Sequence, residues 1–85
     1  MAEEIKIGQI THYFGRIGVG IIELTAELKV GDTIHIVGGG RDFTQKVDSM
    51  QIEHENVETA AAGEAIGLKF DQVVKEGDVV YKIVE

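Results

Sequence analysis

The sequence predicts an all-β domain, a small closed antiparallel β-barrel of six or seven strands, and three observations carry that prediction. Apolar and β-branched residues come in short alternating runs of strand length. Glycine turns separate the runs, with 11 glycines and no proline in 85 residues. A turn-and-strand unit, Lys29-Val30-Gly31-Asp32 followed by a β-branched run, returns as Lys75-Glu76-Gly77-Asp78, with a fainter echo at Gly63-Glu64. The unit is too short and too irregularly spaced for a solenoid or propeller, so it reads as turn chemistry recurring within one sheet. Closing that sheet would remove the exposed edges that a chain without proline cannot guard.

Taken in order, Ile5, Ile7 and Gln9 alternate with Lys6, Gly8 and Ile10 in a first strand that continues to Phe14. Gly15-Arg16-Ile17-Gly18 interrupts it. Residues 19–24 form a second run, apolar on both faces except at Glu23 and so expected to be covered on both sides at least in part. Thr25-Ala26-Glu27 leads to the central strand, residues 33–37, where Ile34 and Ile36 share one face and Gly38-Gly39-Gly40 ends the run. Residues 43–52 read as a strand with a defect. Phe43, Gln45 and Val47 have one parity, Met50 and Ile52 the other, and a bulge near Ser49 would reconcile them. Residues 56–62 stay open between a short helix, capped by Asn56 and carried by Ala60-Ala61-Ala62, and a strand. Ile66, Leu68 and Phe70 alternate as a further strand, residues 71–77 loop, and Val79, Tyr81 and Ile83 are expected to supply the last inward face.

Composition bounds the function. A chain this short supports one domain, residues 1–85, whose core buries roughly 60% of the surface its unfolded form exposes. With no cysteine, disulfides, thiolate metal sites and thiol nucleophiles are excluded. The acidic start and the lack of a run near the ~20 residues of a membrane span point to a cytoplasmic protein that does not engage a membrane. Fifteen acids against eight bases give a net charge of −7, which opposes strong sequence-independent nucleic-acid binding but leaves room for a local basic patch.

No catalytic residues, metal ligands or cofactor site emerge. His12, His35 and His54 fall on three separate predicted strands with neither HxH nor HxxxH spacing, and read as solvated or structural histidines. Gly38-Gly39-Gly40-Arg41 lacks the lysine and following helix of a phosphate loop, and Gly15–Gly20 has glycines in the wrong order for a dinucleotide fingerprint. Glu53 and Glu55 share a strand face with no nucleophile and base that can be named beside them. Arg16, Arg41 and Lys46, in or beside the glycine turns, remain as candidate contacts to RNA phosphate or to a partner's carboxylate, or as plain solubilising charges.

Residues 28–38, Leu-Lys-Val-Gly-Asp-Thr-Ile-His-Ile-Val-Gly, resemble the turn and strand of the second domain of the translational GTPases, the barrel that follows the nucleotide-binding domain in elongation factor Tu and initiation factor 2. Val47-Asp48-Ser49-Met50 is similar to that family's V-x-S-M segment, and Val57, Ala60, Gly63, Ile66-Gly67-Leu68 and Gly77-Asp78-Val79 match its later spacing. The resemblance implies a Greek-key barrel, without catalysis of its own, that binds RNA, the ribosome or another translation-related partner. Its alternative implication is a protein-interaction subunit that docks on a separately encoded GTPase or a collagenase-like peptidase, whose relatives carry similar barrels.

Overall fold

In the computed structural model, which describes residues 3–84, the alternating runs become ten strands with no helix among the described residues. In chain order these are β1 (Glu3–Phe14), β2 (Val19–Leu24), β3 (Leu28–Lys29), β4 (Thr33–Gly38), β5 (Arg41–Lys46), β6 (Met50–Ile52), β7 (Glu55–Val57), β8 (Thr59–Ala60), β9 (Ala65–Lys69) and β10 (Val79–Val84). Eight of them form one sheet in the order β5-β4-β10-β1-β2-β9-β6-β7, and β3 pairs with β8. Every pairing is antiparallel. The ten exceed the six or seven expected because two- and three-residue strands are too short to show a period of two in sequence.

Lys29–Asp32, Ala61–Glu64 and Lys75–Asp78 are three copies of one turn. In each the fourth residue's N–H donates to the first residue's carbonyl, at 3.1, 3.2 and 3.1 Å. The fourth residue's carboxylate accepts from the first residue's N–H, at 2.9, 2.8 and 3.1 Å. Glycine stands third, at φ 97°, 91° and 91°, a region a side chain disfavours. The residues that looked like a faint repeat are thus the same device in three places, and the second carries Glu64 where the others carry aspartate.

β1 is the longest strand and is bent by two register shifts, between Lys6 and Gly8 against β10 and between Ile10 and His12 against β2. The first shift changes the expected alternation. Ile7 and Ile10 both become fully buried while Ile5, which shared a parity with Ile7, stays 44% exposed. The parity conflict in residues 43–52 is real, but a bulge does not resolve it. Val47, Asp48 and Ser49 leave the ladder, and the chain crosses from β4's edge to β9, so Phe43, Gln45, Val47 and Met50 all face inward without one strand spanning them. The helix alternative for residues 56–62 is replaced by β7 and β8, since Ala60 is needed against Leu28 in the core. β10 is a correction of one residue: Val80 is fully buried, whereas Val79, Tyr81 and Ile83 are only half-buried on the other face.

The core joins Ile7, Ile10, Ile22, Leu24, Ile34, Ile36, Ile66, Leu68 and Val80 from the central strands to Leu28, Val47, Met50, Phe70 and Val74 from the connections. Gln45, on edge strand β5 and 7% exposed, reaches the end of β9: its Nε2–H donates to the Lys69 carbonyl at 2.9 Å and its Oε1 accepts from the Asp71 N–H at 2.8 Å. No helix of the described residues is long and apolar enough to cross a membrane.

Candidate functional site

The three basic residues singled out in the sequence do not converge. Arg16 is exposed in the β1–β2 turn. Arg41 opens β5 and Lys46 ends it, a separation of roughly 17 Å along a strand of that length. Arg41 is also committed: its Nε–H and one terminal N–H donate to the two oxygens of Asp78 at 2.6 and 2.7 Å. Asp78 is 3% exposed and accepts a further bond from the Lys75 N–H. The guanidinium holds the Asp78 carboxyl below the usual range, and Asp78 in turn raises the Arg41 pKa. A bidentate pair of this kind fastens the β4–β5 hairpin to the start of β10, which occupies the side of Arg41 that a phosphate would need.

The histidines are likewise apart. His12 sits 3.5 Å from Glu76, His54 lies in the β6–β7 turn, and His35 stands between Glu4 and Asp42, with one ring nitrogen donating to each carboxylate. The bond to Asp42, then that to Glu4, raises the His35 pKa above 6.5, since both neighbours favour the cation. Among the described residues no three candidate ligand side chains gather as a metal site. Glu53 lies in a turn and Glu55 opens β7, both exposed.

What the structure does bring together is an apolar face that sequence reading missed. On the outside of β2 and β9, Val19 and Ile21 lie beside Lys69 and Gly67, and Gln51 of β6 pairs with Gly67 from the other side. Phe14, 51% exposed, and Ile17, 62% exposed, extend the face around the β1–β2 turn. Together with Glu53, His54 and Ala65, all of these except Lys69 line one groove. Its signals in the sequence were Ile17 between turn glycines and Val19 and Ile21 on the face opposite Ile22 and Leu24. They read there as evidence of cover, yet in the chain itself that face is only half-buried.

No family model matches this chain. It is 42% identical over 83 residues to an uncharacterised protease of Methanocaldococcus jannaschii, covering 96% of this chain and 20% of the relative. It is 33% identical over 82 residues to a collagenase of Porphyromonas gingivalis, covering 94% of this chain and 20% of the relative. The chain therefore spans about one fifth of the length of the curated relatives it matches. Among solved structures, the C-terminal domain of a protein of Geobacillus thermoleovorans assigned to the U32 peptidases superposes with a TM-score of 0.85 at 15% identity, over 89% of this chain and 96% of that one. A second crystal structure of that C-terminal domain gives a TM-score of 0.85 at 16% identity, over 91% of this chain and 90% of that one. The fold is shared with that domain.

These relatives correct the resemblance to the second domain of the translational GTPases, and with it the expectation of an RNA- or ribosome-binding translation module. The physical reason lies in the motif that carried it. Leu-Lys-Val-Gly-Asp is a hydrogen-bonded glycine turn feeding a strand, and this chain builds that turn three times for purely local reasons. Such a motif reports turn geometry and does not discriminate between families that share it.

Proposed function

We propose that this chain is a non-catalytic interaction module that docks on a separately encoded peptidase of the collagenase type and positions it or its substrate. The observation that carries this reading is the 33–42% identity to a protease and collagenases, confined to about one fifth of their length. The ionised side chains support it. Arg41 with Asp78, and His35 with Glu4 and Asp42, use their carboxylates to tie strands together, leaving neither group arranged as a nucleophile with its base.

In this reading the sheet is wrapped into a closed barrel, with Gln45 as the seam that joins edge strand β5 to the end of β9. A closed sheet leaves its outer face and turns as the working surface.

Size-exclusion chromatography of the purified chain mixed with a collagenase-type peptidase from the same genome tests the docking. Co-elution, together with a changed rate of gelatin-peptide hydrolysis, is expected. Separate elution at micromolar concentrations overturns the docking. Hydrolysis of those peptides by the chain alone, at a rate constant through repeated purification, overturns the non-catalytic part.

A further inference from the structure

Four glycines lie inside strands, and the molecule itself accounts for three. A Cβ would come within 2.3 Å of the Glu23 carbonyl oxygen at Gly8, 2.6 Å of the Phe70 ring at Gly20 and 2.1 Å of the Asp78 carboxylate at Gly38. Gly67 differs. A Cβ there would rest 3.7 Å from the Ile21 and Val19 side chains, an ordinary contact, and its φ is not left-handed. A Cβ therefore fits at that position, and a residue other than glycine would favour the strand. Its absence leaves a hollow in the row Ile21, Gly67, Gln51, at the centre of the apolar face. Besides bulges and bends, glycine inside a strand is found where a ligand or another backbone approaches closely.

The rim of the hollow is also particular. The β6–β7 turn places Glu53 at φ 50° and His54 at φ 67°, left-handed positions that asparagine and glycine fill without strain, and both side chains line the groove. The face is polarised along the strands. Glu23 pairs with Ala65, and the β6 register carries Glu53 toward that same end, while Lys69 pairs with Val19 at the other. An occupant that matches this charge distribution carries its base at the Glu23 and Glu53 end.

From the hollow, the strained rim and the polarity, we infer that this face is the docking site for an extended segment of the partner polypeptide, with a bulky apolar side chain seated over Gly67 and a basic residue beside it facing Glu23 and Glu53. The inference rests on the reading of the chain as a docking module, and it names the surface and the chemistry of what docks.

Gly67→Val adds bulk on the outer face of β9, opposite the core residues Ile66 and Leu68, and is expected to melt within a few degrees of the parent. The probe is a phage-displayed library of random 12-residue peptides, panned on the parent chain, on Gly67→Val and on Glu53→Gln. The parent should enrich peptides with a large apolar residue next to arginine or lysine. Gly67→Val should bind those peptides at least about tenfold more weakly, and Glu53→Gln should lose the preference for the basic residue. Equal binding by parent and Gly67→Val, enrichment of acidic or purely polar peptides, or no enrichment on the parent overturns the inference. The failure of the two readings is distinguishable. Peptides that need Gly67 while no peptidase co-elutes uphold the surface and remove the peptidase, whereas a peptidase that co-elutes equally with Gly67→Val removes the surface and upholds the peptidase.

Discussion

His35 stands on the outer face of β4 with a carboxylate at each ring nitrogen, Asp42 from β5 and Glu4 from β1, and the Tyr81 ring 6.2 Å away on β10 between them. Both nitrogens must carry protons to donate to both carboxylates, so the folded chain favours the imidazolium. The sign of the linkage follows. A pKa raised on folding contributes stability that is fully present below the unfolded value of 6.5 and is lost as pH rises through the folded value. Unfolding in urea between about pH 6 and about pH 9 should show the parent losing stability with rising pH, and His35→Gln should flatten that slope. An unchanged slope in the variant would mean that His35 is not held as the cation. Asp78 has the opposite sign, contributing above its unfolded pKa and losing that contribution as acid protonates it. Asp42 is seven residues from His35 across one hairpin, but Glu4 and His35, and Arg41 and Asp78, are far apart in sequence and meet only in the fold.

At the scale of the element, the repeated turn is the unit that the chain reuses. Its three glycines sit near φ 90°, where a β-carbon clashes with its own backbone, and beyond that nothing lies within 4 Å of the added atom. Replacing one tests the backbone alone, without a packing change. Gly77→Ala should cost about 1–2 kcal/mol by urea unfolding. Gly67→Ala, inside a strand at an ordinary φ, should be neutral or stabilising. Equal losses at both positions would show that the left-handed turn is not what glycine supplies at Gly77. This turn was legible in the sequence because all of its interactions lie within four residues. The two shifts in β1 were not, because they arise against Tyr81 and Val80 of β10 and against Ile22 and Ile21 of β2, strands that a linear reading does not place alongside β1.

For the whole molecule, the decisive contact is the side chain of Gln45, which bonds the backbone at Lys69 and Asp71 from a strand 24 residues earlier. Gln45→Ala would remove two part-buried hydrogen bonds, to the Lys69 carbonyl and from the Asp71 N–H, at a cost of about 1–2 kcal/mol. If this seam holds the sheet closed, hydrogen exchange at Asp71 should accelerate more than exchange in β1 and β2. A uniform acceleration would place the seam elsewhere. The apolar groove belongs to this scale too, because Phe14, Val19, Gly67 and His54 come from four separate segments.

The amino-acid sequence by itself determined the all-strand class, the glycine turns and most of the inward residues, Ile34, Ile36, Ile66 and Leu68 among them. Strand alternation and turn chemistry act over two to four residues, a range that a linear reading can see. Only the tertiary structure decided that Arg41 is consumed by Asp78, that Ile5 faces out while Ile7 faces in, and that Gly67 lies open at the centre of an apolar face. Each of these depends on which strand lies alongside, and strand order is fixed by the packing of the whole core, which local periodicity does not encode.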